Sequence, residues 1–269
     1  MLNEISEVGF LDERALIALL ISSIAGMSTL LGAFVIFFTK SDSKKIVSCS
    51  LGFAAGVMIS VSFSDLLPEA QNSLTVYGGE RQGVIFTVIF MVVGLILAMA
   101  IDHFVPHDEY DSEKDDRPHK NLYRVGFVSM LAMMLHNFPE GIATFMASYN
   151  DPILGARIAV AIAFHNIPEG ISVAMPIYFA IQSRKAALKY TFLAGFAEPV
   201  GALLAFLVLK PFINDLVLGA IFAIVAGIMI HISFEELIPT SRQYGYSRIA
   251  LLSAFAGICI MPLSGVIFL

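Results

Sequence analysis

The sequence predicts an all-α polytopic membrane protein with eight transmembrane helices arranged as a three-two-three inverted repeat. Three observations lead there. Of the 269 residues, 57% are hydrophobic and 14% charged, with a mean hydropathy of +0.80, whereas soluble domains run at about 45–50% apolar. The apolar residues gather in eight runs, each long enough to cross roughly 30 Å of hydrocarbon. Two stretches of the chain also recur elsewhere within it.

Taken in order, the runs cover about 14–38, 46–67, 83–105, 123–148, 153–180, 187–209, 215–239 and 247–268, within one transmembrane domain. Ahead of the first run stand Glu4, Glu7, Asp12 and Glu13 with no Lys or Arg. That is the reverse of a signal-peptide start, so no cleavage is expected. Connections are short except at 106–122, where a run of Asp, Glu, Lys, Arg and His reads as solvated loop. The loops after runs one, three, five and seven hold Lys40, Lys44, Lys45, Lys114, Arg117, Lys120, Arg124, Arg184, Lys185, Lys189, Arg242 and Arg248. Only Arg14, Arg81, Arg157 and Lys210 fall on the other side. The positive-inside rule therefore places both termini outside and the long loop in the cytoplasm.

Cys49 and Cys259 lie far apart with no CxxC spacing, which argues against a disulfide framework or a thiolate metal site. A net charge of −6 weakly favours cationic cargo and argues against nucleic acid.

The repeat has two layers. Residues Ala55 to Pro68 are echoed by Ala226 to Pro239 at a constant shift of 171, and Ala25-Gly26 and Gly32-Ala33 by Ala194-Gly195 and Gly201-Ala202 at a shift of 169. Runs one and two thus match runs six and seven. The phrase His136-Asn137-Phe138-Pro139-Glu140-Gly141 in run four returns as His165-Asn166-Ile167-Pro168-Glu169-Gly170 in run five. Each matched pair is an odd number of crossings apart, so its members traverse the bilayer in opposite directions. Inverted repeats of that kind mark transporters, with the site near the midplane.

Ionisable side chains at membrane depth are costly and are kept mainly for function. His136 and Glu140 are four residues apart and Asn137 and Glu140 three, so each pair shares a helical face; His165, Asn166 and Glu169 repeat the pattern. Pro139 and Pro168 leave the carbonyls of Leu135 and Phe164 without helical partners, and Pro199, after Glu198, does the same for Gly195. Together the three motifs supply two imidazoles, two amide oxygens and three carboxylates. Nitrogen and oxygen donors without thiolate suit Zn, Fe, Mn or Co rather than Cu(I). Glu140 and Glu169 are placed to bridge two ions. The bland alternative, polar glue between helices, leaves three buried carboxylates to repel one another unless a cation or protons are present.

Farther out, Asp65 and Glu69 fall near the external end of run two, while Glu235 and Glu236 fall near the cytoplasmic end of run seven with His231 a turn deeper. Asp65, His231 and Glu236 read as pathway residues, and Met58 as a thioether along the path or simple packing. His103, His107 and His119, in or beside the acidic loop, read as solvated loop residues or weak metal sensors. An intramembrane metalloenzyme, or a metal-binding protein without transport, is the rival from another class. However, His-x-x-x-Glu with an intervening Pro meets neither the di-iron Glu-x-x-His pattern nor HExxH.

The phrases HNFPEGIATF, HNIPEGISVA and AEPVGALL, with the topology around them, closely resemble the ZIP (zinc/iron-regulated-transporter-like) family in its bacterial branch. The resemblance covers the whole chain. It implies a divalent-cation uptake protein of the bacterial inner membrane, chiefly for zinc with tolerance of iron, manganese, cobalt and cadmium. These ions are cargo; no cofactor is implied. Carried over residue by residue, His136, Glu140 and Glu169, with His165 close by, would hold one ion; Asn137, Glu140, Asn166, Glu169 and Glu198 would hold a second. Asn166 stands where some relatives carry Asp, which removes a charge and points to broader selection. The family is also commonly assigned an elevator-like movement and a homodimeric state.

Overall fold

A computed structural model describes residues 13–38, 44–104, 119–209 and 214–267. Among them the chain is helical throughout, joined by tight turns, and six helices are long and apolar enough to cross a membrane. We label the helical segments α1 (Glu13–Phe38, interrupted at Ser28 and Phe34), α2 (Lys44–Gly78), α3 (Glu80–Phe104), α4 (His119–Asn150), α5 (Pro152–Ile181), α6 (Arg184–Val208), α7 (Asp215–Gln243) and α8 (Ser247–Ile267). The fourth helix falls short on apolarity because it carries the polar residues discussed below. Residues 105–118, most of the expected 106–122 loop and including His107, lie outside the described residues, while 119–122 are helical in α4.

Local chemistry explains the joints. Asn214 and Ser183 cap α7 and α6 by accepting from the N–H groups of Val217 and Ala186. Pro152 opens α5, with Asp151 Oδ1 accepting from Ile153 N at 2.9 Å. Gly79 (φ 81°) ends α2 and Gly245 (φ 83°) turns α7 into α8, in a region that disfavours any Cβ.

α2 runs on past the expected boundary near residue 67 despite Pro68. The reason is a widened π-type turn at Ser62–Leu66, directly before Pro68. A longer hydrogen-bonding step accommodates a residue that has no N–H and would clash with a tight turn. The same device appears at Ser233–Leu237 before Pro239 in α7. Ser62 and Ser233 close it alike, donating to the carbonyls of Met58 and Met229, each at 2.7 Å.

The helices sort into two groups of four. α1, α4, α5 and α6 pack on one another, as do α2, α3, α7 and α8; the seam between groups is mainly α2 on α5 and α7 on α4. Glycines make the tightest contacts, and they come in repeat-related pairs. A Cβ on Gly32 would strike the Ile167 carbonyl, and one on Gly201 the Phe138 carbonyl; Gly170 faces Thr29 O as Gly141 faces Glu198 O. In the second group Gly56 abuts Ala254 and Gly227 abuts Met91, while Gly94 abuts Ile224 and Gly257 abuts Phe53. Small residues let membrane helices approach closely. Packing therefore matches α1 with α6, α2 with α7, α3 with α8 and α4 with α5. Gly26 and Gly195 face each other's carbonyls, at 2.7 and 2.6 Å from an added Cβ; they lie where the two halves of the first group meet.

Exposed apolar side chains cover the outside, notably Ile85, Ile89 and Ile96 on α3 and Leu251, Leu252 and Phe255 on α8. Such a surface needs an apolar surrounding, and a lipid bilayer supplies it.

Candidate metal site

Pro139, Pro168 and Pro199 sit inside continuous helices, so the polar phrases stay helical where α4, α5 and α6 pack together. His136, Glu140 and His165 each offer a ligand atom within 4.8 Å of the others. His165 Nε2 donates to Glu140 Oε1 at 2.8 Å, and His136 Nε2 lies 3.6 Å from both Glu140 Oε2 and Glu169 Oε1. The two imidazole centroids are 6.0 Å apart. Helical spacing brings His136 to Glu140; the α4–α5 contact brings in His165 and Glu169.

The amides are oriented by the backbone. Asn137 Nδ2 donates to Ala194 O and Asn166 Nδ2 to Ala25 O, each at 3.1 Å. Those carbonyls are repeat mates, so both Asn side chains are clamped in the same way. A carbonyl accepts only from the NH2 end, which leaves Asn137 Oδ1 and Asn166 Oδ1 buried without a partner. Asn166 Nδ2 also donates to Glu198 Oε2 at 3.1 Å, which ties α6 to the cluster.

Several strong donors remain unsatisfied among the described residues. His136 Nε2, Glu140 Oε2, both oxygens of Glu169 and Glu198 Oε1 are buried and form no hydrogen bond. Leaving polar groups unpaired in an apolar interior costs about 1–3 kcal/mol each, and more when they are charged. A divalent cation satisfies these atoms and offsets the clustered carboxylates in one step. The donor set, imidazole nitrogen with amide and carboxylate oxygen, fits first-row divalent ions.

A cavity of about 650 Å³ leads to this cluster from one end of the bundle. Asp65 and Glu69, both exposed, stand at its outer part; Thr144 lines its wall; Glu140 and His165 form its floor. Glu169, Asn166 and Glu198 lie deeper and are fully buried. Thr144 was not singled out in the sequence. It lies four residues beyond Glu140, on the same face as His136, and that spacing was the signal available.

Toward the opposite end of α4 and α7 the described residues enclose far less space. His231 and Glu236, with Leu135, line a space of only about 20 Å³, room for about one water. Glu236 is ion-paired with Arg124 of α4. Arg124 reads in the sequence as one more loop charge, and its partner on α7 is apparent only from the fold. Met58 is fully buried in the main apolar cluster, which also holds its repeat mate Met229. The side chains of His103 and His119 lie outside the described residues.

A helical membrane protein with a buried His/Asn/Glu cluster at the floor of an acid-lined cavity belongs to the class of metal-handling membrane proteins. The chain matches the family described as ZIP Zinc transporter over residues 14–121 and 106–265, and it belongs to that family. Proteins named "Zinc transporter ZupT" are similar along nearly their whole length. That of Oceanobacillus iheyensis is 44% identical over 262 residues, covering 94% of this chain and 98% of the relative. Those of Streptococcus mutans and Chlorobaculum parvum are each 41% identical, covering 96% of this chain and 100% of the relative.

Proposed function

We propose that the protein carries divalent metal cations, chiefly zinc, inward across the bacterial inner membrane, using the α4/α5/α6 cluster as its transport site. The observation that carries this reading is the cluster of buried oxygen and nitrogen ligand atoms that form no hydrogen bond, reached by an acid-lined cavity. Membership of the ZIP family and the ZupT relatives support it.

With eight crossings and the Lys/Arg asymmetry, the Asp65 end faces outward and the Arg124 end faces the cytoplasm. A cation drawn past Glu69 and Asp65 meets Glu140 and His165 at the cavity floor. Binding there would replace the His165–Glu140 hydrogen bond by two metal–ligand bonds, the proton on His165 Nε2 passing to water or to Nδ1 as the ion arrives, with His136 and Glu169 completing the first position. Asn137, Asn166 and Glu198, with the far oxygens of Glu140 and Glu169, form the second. Anionic donors strip water from the ion, while the neutral amides and imidazoles limit the negative charge and so keep binding reversible. Iron, manganese, cobalt and cadmium share enough of this coordination chemistry to compete. Delivery to the cytoplasm then needs the α1/α4/α5/α6 group to shift against α2/α3/α7/α8 along the α2–α5 and α4–α7 seams.

The test is uptake of radiolabelled zinc into liposomes holding the purified protein, with a competition panel of iron, manganese, cobalt and cadmium. Saturable uptake that these ions reduce is expected. Uptake that rises linearly with zinc and ignores competitors would indicate a passive pore instead.

A further inference from the structure

The inverted repeat pairs Asp65 of α2 with Glu236 of α7, at the shift of 171. Each sits in a widened π-type turn before a proline. Their surroundings nevertheless differ. Asp65 is exposed and lines the wide cavity, whereas Glu236 is 5% exposed and paired with Arg124. Arg124 stands 12 residues before His136, about 18 Å along α4 at 1.5 Å per residue. Its repeat mate on α5, at the α4–α5 shift of 29, is Ile153, an apolar residue that is 70% exposed. The fold therefore places a cation against the inner carboxylate, and the repeat has none at the equivalent outer position.

We infer that Arg124 is a tethered cation that latches the inner exit by occupying Glu236, and that the latch must part before cargo can leave toward His231 and Glu236. Three features support it. The pair joins α4 of one helix group to α7 of the other, along a seam that a relative movement of the groups must break. Glu236 of the pair, with His231 and Leu135, also lines a space of only about 20 Å³ between α4 and α7. Glu236 is also a carboxylate that a departing divalent ion can use, so the ion and Arg124 compete for the same oxygens. Because the outer end has Ile153 in the matching place, the latch stabilises only the form closed inside. The empty protein consequently rests with its cavity open at the Asp65 end. This inference takes the transport site of the preceding section as given, but its test does not depend on metal flux.

Ala132, 2% exposed, lines the inner space. With Cys49→Ser and Cys259→Ser as background, Ala132→Cys reports whether that space is open, through its labelling rate with a membrane-impermeant thiol reagent applied from each side of metal-free vesicles. In the otherwise unchanged protein, labelling is slow from both sides. Arg124→Gln and Glu236→Gln should each speed labelling about tenfold or more, only from the side bearing the start of α4, since either change removes the charge pair that joins α4 to α7. Arg124→Lys and the exchange Arg124→Glu with Glu236→Arg should restore slow labelling. Ala223→Cys, fully buried elsewhere on α7, must stay unlabelled in every variant. If Arg124→Gln labels Ala223→Cys, Glu236→Gln, the smaller change, decides. Slow labelling in both properly folded Gln variants, or fast labelling in the charge exchange, overturns the latch. Zinc uptake that fails while these rates behave as stated would count against the transport site and leave the latch standing.

Discussion

His165 Nε2 lies 2.8 Å from Glu140 Oε1, so the floor of the cavity is closed by a hydrogen bond between α5 and α4 made from two of the proposed ligands. In the proposed site each group holds the other until a cation arrives and the His165 Nε2 proton departs. The bond spares part of the cost of two unpaired buried groups and keeps the donors near binding geometry. That arrangement gives the first prediction. Zinc-edge X-ray absorption of the loaded protein should show nitrogen and oxygen neighbours with imidazole scattering and no sulfur. His165→Ala should reduce the imidazole contribution. A sulfur neighbour would bring Met58 into the site.

Asn166 distinguishes the deep part of the cluster. Its NH2 group serves both Ala25 O and Glu198 Oε2. Asn166→Asp sets a carboxylate against a carbonyl and another carboxylate, with no donor between them. The metal-free variant should lose about 1–3 kcal/mol, read as a lower thermal transition in detergent. Zinc should recover most of the loss, because a ligand that binds only the folded form raises its stability. An unchanged metal-free transition would mean that the amide bonds contribute nothing.

The glycine contacts make the repeat testable as architecture. Gly32→Val and Gly201→Val push side-chain atoms into the carbonyls of Ile167 and Phe138 respectively. Overpacking of that kind costs about 1–3 kcal/mol or more, and the two variants should destabilise the protein to a similar degree in thermal unfolding. Gly79 has open space around it, so Gly79→Ala should show only the smaller strain of its positive φ. A large difference between Gly32→Val and Gly201→Val would break the proposed equivalence of α1 and α6.

Asp65 lines the cavity without joining the buried cluster, so its proposed role is on the approach to the site. Asp65→Asn should raise the KM for zinc roughly two- to fivefold with kcat nearly unchanged, the pattern of lost attraction on approach. It should also weaken the dependence of uptake on ionic strength. A fall in kcat with unchanged KM would place Asp65 in the transport step itself.

Much of this was legible because membrane physics writes plainly in sequence. Polar residues such as His136 and Glu169 stand out against an apolar background, and the doubled HN-x-PEG phrase put them on matching helices. The shifts of 169 and 171 marked Gly26 and Gly195, and the segments before Pro68 and Pro239, as equivalent positions; that the glycines touch and that the segments form π-type turns came only from the fold. What remained hidden depended on contacts between distant segments. The Asn137 and Asn166 clamps needed the carbonyls of Ala194 and Ala25, which no periodicity reveals. Arg124 looked like loop charge because nothing local links it to Glu236 on another helix. The extension of α2 beyond Pro68 was hidden for another reason: proline signals an end unless a widened turn precedes it.

The central claim is that Glu140 and Glu169 carry the cargo. Zinc uptake into liposomes by the Glu140→Gln/Glu169→Gln protein tests it most directly, with helical content and detergent monodispersity matched to the parent. Uptake no faster than in protein-free liposomes is expected. Uptake at the parent rate would contradict the claim.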